Sequence, residues 1–205
     1  MIFHDIQQNT DEWMDLRAGK VTSSSMATVM ANYGKAFGDP AKKLAQKIAL
    51  ERHTGKRIET DHYINAAMRR GHELEPVARN KYEKEEFRTV TNGGFIESDD
   101  GKQGTSLDGR IGGRGATEIK CPLQDAHWGV IKKGGFSSQY KWQIHHQIMV
   151  AGLEWEDFVS YCPEFPEGKQ LHIYRIYRDE ELIEMMKVRL AEFEEMVEEN
   201  RKLLK

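Results

Sequence analysis

The sequence contains little cysteine and has no long apolar run. Its two cysteines, Cys121 and Cys162, are not in the paired spacing of a zinc site or a disulfide framework, so both classes of protein are excluded. The N-terminus lacks the basic, apolar and small-residue regions of a signal peptide, and no apolar stretch is long enough to cross a bilayer. We therefore expect a cytoplasmic protein in a reducing compartment, with no membrane partner.

An excess of basic residues is also missing. The chain has 30 Lys and Arg residues against 33 Asp and Glu residues, a formal net charge of -3 at pH 7. Many proteins that bind nucleic acid are strongly basic, so any such contact here must be local or assisted by a metal. The length of 205 residues suits one domain, in which we expect an N-terminal helical part (1–63), a core (64–178) and a C-terminal helix (179–205).

Capping and turn residues predict six helices. They begin after Thr10, the serine run at 23–25, Asp39-Pro40, about residue 64, Ser137 and Asp179, and three of them end at Gly19, Gly55 and Gly152. The fourth extends to about residue 87, and we expect a kink near Glu75 because Gly71 and Pro76 interrupt its pattern. The inward face of the last helix is predicted at Leu182, Met186, Arg189, Phe193, Met196 and Leu203.

Short runs bounded by Gly, Asp or Asn predict strands. The predicted strands are 90–97, 104–111, 116–121, 158–161 and 171–176. Consecutive strands build one side of a sheet as hairpins, and the helix before residue 155 lets the next strand join in parallel. The expected fold is therefore α/β, with a central mixed sheet flanked by helices.

Acidic and basic residues converge on one predicted hairpin. The glycine-rich turn at 112–115 folds two strands together, which brings Asp108 beside Glu118. Because side chains alternate along a strand, Glu118 and Lys120 point the same way while Ile119 points into the core. Two carboxylates and an amine therefore lie on one face.

This arrangement is typical of a metal-dependent nuclease. Mg²⁺ prefers hard oxygen ligands, so Asp108, Glu118 and the Ile119 carbonyl form a partial shell that water and a phosphate complete, and Mn²⁺ is a substitute. The metal would polarise the phosphoryl oxygen and lower the pKa of a bound water, while Lys120 orients that water or stabilises charge. The alternative is an ordinary surface hairpin with a Glu/Lys pair.

Several segments carry a family resemblance. The Asp108 and Glu118-Ile119-Lys120 set resembles the PD-(D/E)XK nuclease superfamily, which implies a restriction-endonuclease-like core with extra N-terminal helices and a long C-terminal helix. Five short motifs follow the order seen in bacteriophage lambda exonuclease and the YqaJ-like viral recombinases, from about residue 10 to about residue 178. They are Leu16-Arg17-x-Gly19-x-x-Thr22-x-Ser24, Gly71-His72-Glu73-Leu74-Glu75, Ser106-Leu107-Asp108-Gly109, Glu118-Ile119-Lys120-Cys121-Pro122 and Gly135-Phe136.

The resemblance implies a processive 5′-to-3′ exonuclease that degrades linear duplex DNA from its ends. Such an enzyme releases mononucleotides and leaves a 3′ single strand, which a single-strand annealing protein uses in recombination. A homotrimeric ring would explain processivity, because the threaded DNA cannot diffuse away between cuts. The implied location is the cytoplasm of a bacterium that hosts the phage or prophage.

The resemblance also implies roles for residues outside the hairpin. Glu75 would support a second metal or its waters, although it could equally pair with Arg79 one helical turn later. Arg17 and Ser24 would hold the 5′-terminal phosphate, since guanidinium suits bidentate phosphate recognition, and the alternative is a serine capping cluster. Ser106 would bond to a phosphate or satisfy a strand edge.

Three further positions are implied to contact substrate. Gln143 lies on a polar helix beside the metal, with Gln147 on the same face, and His145 stands where the family pattern has glutamine. Met68 matches an apolar wedge that separates strands at the duplex end, although most helical methionines belong to the core.

Two rival functions stay open. The superfamily motif alone also fits a structure- or sequence-specific endonuclease or a junction resolvase. A non-catalytic scaffold that binds DNA ends during recombination is the other alternative, in which the acidic set is only structural.

Overall fold

The capping and turn residues of the sequence mark the element boundaries of the computed structural model, which describes residues 1–59 and 66–205. The described helices are α1 (Asp11–Arg17), α2 (Met26–Met30), α3 (Asp39–Thr54), α4 (Ala66–Glu86), α5 (Gln124–Lys133), α6 (Lys141–Ala151) and α7 (Glu180–Lys202). Short 3-10 turns occur at Ser23–Ser25, Ser138–Tyr140 and Glu167–Lys169. None of the described helices is long and apolar enough to span a membrane.

Eight strands are described, and they form two four-stranded mixed sheets. The strands are β1 (Ile2–His4), β2 (Val21–Thr22), β3 (Phe95–Glu97), β4 (Gln103–Ser106), β5 (Gly109–Ile111), β6 (Gly115–Lys120), β7 (Trp155–Tyr161) and β8 (Leu171–Tyr177). One sheet has the order β1-β3-β4-β2 and the other has the order β5-β6-β7-β8. The α/β class is confirmed, and the predicted parallel join is the β6/β7 pair, in which Glu118 lies opposite Phe158.

Local capping explains where the helices begin and end. The Thr10 hydroxyl accepts a hydrogen bond from Trp13 N at 3.2 Å, which caps α1 as predicted. Gly55 and Gly152 end α3 and α6 in the left-handed conformation, with φ of 65° and 64°. Asp179 caps α7 by accepting from Leu182 N at 3.1 Å.

Three hydrophobic clusters hold the elements together. The first joins α2, α3 and α7, and the other two lie on opposite faces of the second sheet, one under α6 and one under α4. Ile148 of α6 and Tyr82 of α4 are both fully buried, and each such side chain contributes roughly 2 kcal/mol to folding. The second sheet is therefore fixed between two helices.

Helix α7 buries most of its predicted inward face. Met186 and Phe193 are fully buried, and buried Arg189 donates to the carbonyls of Val29 and Ala31 at 3.1 and 3.2 Å. The prediction is wrong for Leu203, which is 84% exposed because the helix ends at the preceding residue.

Several predicted boundaries differ from the structure. The predicted strand 104–111 is two strands in different sheets, because the chain turns at Leu107-Asp108 from β4 into β5. The predicted strand 90–97 is confined to Phe95–Glu97, and β1 and β2 were not predicted because strands of three and two residues show no alternation.

One prediction about helices is also corrected, and a second, the kink near Glu75, stays a prediction. Helix α5 lies in a segment predicted as a connection; its Gly129 is exposed with open space around it, so the helix tolerates that residue. Helix α4 is continuous through Gly71 and Pro76. The first two residues of the predicted helix, 64 and 65, lie outside the described residues.

Candidate active site

Asp108 and Glu118 meet across the predicted hairpin. Strands β5 and β6 are antiparallel, and Gly109 is the register partner of Thr117, so Asp108 and Glu118 are at adjoining positions. Asp108 lies where the chain leaves one sheet for the other, and its Oδ2 accepts a hydrogen bond from Ile119 N at 2.7 Å. The junction of the two sheets therefore fixes this carboxylate.

Helix α6 holds the Glu118 carboxylate from above the sheet. Glu118 is 1% exposed, and Gln143 Nε2 donates to its Oε1 at 2.6 Å. Gln147 Nε2 donates to its Oε2 at 2.6 Å, and the Lys120 ammonium forms an ion pair with the same carboxylate. The predicted face of α6 thus lies against the predicted acidic residue.

The electrostatics of this cluster are those of crowded carboxylates. Burial, and then the neighbouring Glu118, raise the pKa of Asp108 well above its usual range. Burial alone would lower the pKa of Lys120, but Glu118 and Asp108 raise it above its ordinary value. The Lys120 amine therefore stays charged, but its positive charge does not balance the carboxylates of the cluster.

Glu75 of α4 faces the same cluster. Burial raises its pKa, with Glu118 adding to the increase, while Arg79 opposes it. Arg79 Nη2 lies 3.6 Å from Glu75 Oε1 and also donates to the Asp108 carbonyl. Both sequence interpretations of Glu75 are thus compatible with its position, because the helical pair with Arg79 is itself part of the cluster.

The donor chemistry of the cluster fits a hard divalent cation. Two carboxylates and the Ile119 carbonyl offer oxygen ligands, and a divalent charge beside them would counter the crowding that raises the pKa of Asp108. Within residues 1–59 and 66–205, no group of three or more His, Cys, Asp or Glu side chains is arranged to hold one ion. The predicted shell would therefore need water and phosphate oxygens to be complete.

Two adjoining cavities lead to the cluster. A cavity of about 790 Å³ is lined by Asp108, Lys120, Glu75 and Tyr140, and a second of about 510 Å³ is lined by Arg17 and Trp13. Asn9, Met68 and His72 line both cavities. Met68 is 45% exposed at this boundary, so it is not the buried core methionine of the alternative interpretation.

The second cavity contains an arginine with weak internal partners. Arg17 Nη2 donates to the hydroxyls of Thr22 and Ser24 at 3.4 and 3.3 Å, and its guanidinium carbon lies 4.2 Å from the Trp13 ring centre. Burial lowers the pKa of Arg17 to about 10. No carboxylate of the described ranges forms an ion pair with Arg17, so its charge is available to an anion.

Two residues with predicted substrate contacts, Ser106 and His145, have neighbours within the protein. Ser106 Oγ already accepts a hydrogen bond from Trp13 Nε1 at 2.8 Å, which connects the strand before Asp108 to the Arg17 cavity. His145 is buried, with Asp179 and Lys141 as its electrostatic neighbours, and the substrate contact implied for it stays a prediction. Two residues along a helix turn a side chain by about 200°, away from the face that carries Gln143.

A comparison with protein-family models identifies the chain. Residues 12–154, well over half of its length, match the model of the YqaJ-like viral recombinase domain. The chain belongs to the YqaJ-like viral recombinase family. The resemblance seen in the sequence motifs is thereby confirmed, and the matched region contains Arg17, Glu75, Asp108, Glu118 and Lys120.

Solved structures agree with the family assignment. An alkaline exonuclease from Laribacter hongkongensis, LHK-Exo, is 36% identical with a TM-score of 0.84, and the match covers 95% of this chain and 96% of that chain. LHK-Exo in complex with dAMP matches at the same identity and TM-score, with 96% of each chain covered. A phage-related exonuclease from Haemophilus somnus 129PT, 16% identical with a TM-score of 0.69 over 91% of this chain and 96% of that chain, shares the fold. A search of curated proteins finds no match.

Three residues around this YqaJ-like site make contacts that sequence reasoning did not predict. Arg79 and Trp13 bind backbone or side chains next to Asp108, and buried His146 contacts Ser23 Oγ through Nδ1 at 2.8 Å. Burial lowers the pKa of His146 to about 3, so it is a neutral structural group. These contacts join residues far apart in the chain, so no spacing along the sequence predicts them.

Proposed function

We propose that this chain is a Mg²⁺-dependent exonuclease that degrades linear duplex DNA from 5′ to 3′, releases mononucleotides and leaves a 3′ single strand for recombination by strand annealing. The observation that carries the proposal is the convergence of Asp108, Glu118 and Lys120 beside a cavity. The identity of 36% to LHK-Exo, an alkaline exonuclease, supports the reaction class.

Asp108, Glu118 and the Ile119 carbonyl would hold Mg²⁺, and Mn²⁺ would substitute for it. Glu75 would support a second ion or its waters, since it faces the same carboxylates. When bound, Mg²⁺ would polarise the scissile phosphodiester and lower the pKa of a bound water. Gln143 and Gln147 keep the Glu118 carboxylate in one orientation through two hydrogen bonds of 2.6 Å.

Lys120 acts as a charged hydrogen-bond donor in this proposal. Its ammonium forms an ion pair with Glu118, and Lys120 lines the same cavity as Asp108. From this position Lys120 would orient the attacking water and stabilise the negative charge that develops on the phosphate.

Arg17 and Ser24 would hold the 5′-terminal phosphate in the adjoining cavity. The half-buried guanidinium has only long hydrogen bonds to hydroxyls, and a phosphate would supply the anionic partner that a guanidinium binds bidentately. LHK-Exo forms a complex with dAMP, a mononucleotide, which supports a nucleotide-sized site in this family. Met68, exposed between the two cavities, would separate the strands at the duplex end.

Processivity would come from a homotrimeric ring, and the 3′ strand would pass to a single-strand annealing protein. Both expectations come from the family resemblance. A ring of three copies would enclose the remaining DNA, so that the enzyme stays bound between cuts.

The proposal is tested with linear duplexes that carry a label in one strand at a time. With Mg²⁺, label at the 5′ end should appear first as mononucleotide, while label at the 3′ end of the same strand appears last. Chelation of Mg²⁺ should stop the reaction, and a covalently closed circle should stay intact.

Three results would contradict this function in different ways. Cutting of the closed circle would indicate an endonuclease or junction resolvase, and product without a divalent ion would remove the metal mechanism. Binding of DNA ends with no product in Mg²⁺ or Mn²⁺ would indicate a recombination scaffold.

A further inference from the structure

Two consecutive residues of α3 bind the backbone N–H and the backbone carbonyl of Gly19, in the turn that follows Arg17. Gly19 N donates to Glu51 Oε2 at 2.8 Å, and Gly19 O accepts from Arg52 Nε at 2.7 Å. Gly19 adopts φ of 72°, and a Cβ there would lie 3.0 Å from Arg52 Cγ. The turn is therefore closed against α3 with no room for a side chain.

Glu51 is a buried carboxylate that no part of the proposed chemistry uses. It is 6% exposed, and its second oxygen, Oε1, accepts from Ile58 N at 3.1 Å. Lys47 Nζ lies 3.7 Å from the same oxygen. Burying a charged carboxylate is costly unless donors compensate it, and here two backbone amides point directly at it.

Helix α3, which carries Glu51 and Arg52, is itself packed against α7. Ala45 and Ile48 of the same helix are buried in the cluster that joins α3 to α7, and Arg52 Nη1 bonds to Glu194 of α7 at 2.6 Å. Movement of the Gly19 turn would therefore have to break contacts to a helix that is itself fixed.

Arg17 is the last residue of α1 and lies two positions before Gly19. Its guanidinium lies 4.2 Å from the Trp13 ring centre and forms only long hydrogen bonds, to hydroxyls at 3.3 and 3.4 Å, so the position of the backbone also determines where it points. Glu51 also lines the cavity that contains Arg17. Glu51 is therefore connected to the guanidinium through its hydrogen bond with Gly19 N and two residues of chain.

We propose that Glu51, together with Arg52, is a positioning residue that acts through the Gly19 turn to orient Arg17 toward the 5′-terminal phosphate. This inference rests on the phosphate pocket of the proposed function. Glu51 sets how well the enzyme distinguishes phosphorylated from hydroxyl ends, and it does so without contacting the DNA.

The test compares initial degradation rates of one linear duplex made with 5′-phosphate or 5′-hydroxyl ends. The proteins are wild type, Arg17→Ala, Glu51→Ala, the Arg17→Ala/Glu51→Ala double variant, and Gln46→Ala, an exposed residue of the same helix, as the control. The readout is the ratio of the two rates, which a general loss of stability does not change.

We expect Arg17→Ala and Glu51→Ala each to lower the ratio by about tenfold, the size of effect expected when a charge-assisted hydrogen bond is lost. The double variant should have the same ratio as Arg17→Ala, because both changes remove one shared interaction. Gln46→Ala should keep the wild-type ratio, and Glu51→Gln, which retains one acceptor oxygen, should give an intermediate one.

The outcomes separate the two proposals. If Arg17→Ala lowers the ratio while Glu51→Ala and Glu51→Gln keep it, the positioning role is overturned and the phosphate pocket stands. If the two losses multiply in the double variant, Glu51 acts independently of Arg17 and the positioning role is also overturned. An unchanged ratio in Arg17→Ala removes the pocket itself. Should Glu51→Ala fail to fold, the ratio of Glu51→Gln decides.

Discussion

The β6/β7 strand pair has buried carboxylates on both of its faces, and the two faces differ in how those charges are compensated. On the face under α4, Asp157 accepts two hydrogen bonds from Arg175 at 2.8 Å and one from Tyr82 Oη at 2.6 Å. On the face under α6, Glu118 pairs with Lys120, and the neighbouring Asp108 has the neutral Ile119 amide as a donor.

This difference separates a fully compensated carboxylate from one that can still take a cation. The bidentate guanidinium and the phenol occupy both Asp157 oxygens, so little capacity remains there for a cation. Burial and Glu118 raise the pKa of Asp108, and Asp108 lines a cavity of about 790 Å³. A buried acid that lacks charge compensation and lies beside open space is a candidate ligand for a metal.

The largest expected effect comes from replacing Asp108 by asparagine. Asp108→Asn should lower the rate on linear duplex by roughly a thousandfold, because the amide is a poor ligand for a hard cation that supplies several kcal/mol of transition-state stabilisation. The variant should fold normally, since a neutral group replaces a charge that burial disfavours. Nuclease rates and thermal unfolding measure the two properties. Retained activity would show that Asp108 is not a metal ligand.

The same substitution on the other face should lower stability and leave activity unchanged. Asp157→Asn should lower the free energy of unfolding by about 3 kcal/mol, because it leaves the Arg175 charge and the Tyr82 hydroxyl poorly paired. The rate per folded molecule should stay at the wild-type value. Urea unfolding measures the loss, and a large fall in activity of the folded variant would erase the distinction between the two faces.

The sequence was sufficient to predict that Asp108, Glu118 and Lys120 converge, because its signals are local. Asp108, Glu118 and Lys120 lie within a single hairpin, so the two-residue period of a strand and one glycine-rich turn determine their relative positions. The alternation along β6 likewise separates Ile119, which packs under α4, from its neighbours.

The compensated face could not be predicted for the opposite reason. Asp157, Arg175 and Tyr82 come from two strands and a helix, and no spacing in the chain connects them. The division of the strands into two sheets is equally non-local, because it depends on a turn at Leu107-Asp108 inside a continuous strand-like run. The contacts of Asp157 and the division of the strands into two sheets both depend on tertiary packing.

A smaller effect is expected for the amides that hold Glu118. Gln147 Nε2 bonds to Glu118 Oε2 at 2.6 Å and to the Ser106 carbonyl at 3.3 Å. Gln147→Met, which keeps the volume and removes both bonds, should lower the rate by about tenfold, as outer-shell partners of metal ligands commonly do.

The control for Gln147→Met lies on the other face of the sheet. Thr117 Oγ1 is buried and has no hydrogen-bond partner among the described residues, so Thr117→Val should leave the rate unchanged. An equal loss of rate in both variants would mean that any change in this sheet disturbs the site, whichever face carries it.

A pH-dependent effect is expected for Glu156, a second acid on the α6 face of the strand pair. It is fully buried, and neither of its carboxylate oxygens has a hydrogen-bond partner within the described ranges. Burial, and then Glu118, raise its pKa well above the ordinary value of 4.5. A raised pKa in the folded state means that the contribution of Glu156 to stability is fully present below about pH 4.5 and is lost as the pH rises through the raised pKa.

Glu156→Gln should remove this pH dependence. The difference in unfolding free energy between variant and wild type should favour the variant increasingly as the pH rises, by about 1 kcal/mol for each unit of pH until the raised pKa is passed. Asp108 and Glu75 titrate in both proteins, so the difference isolates Glu156. Urea unfolding from pH 5 to pH 9 measures it, where these bounds are roughly the range of highest stability for most proteins. A constant difference across that range would mean that Glu156 is compensated, as Asp157 is on the opposite face.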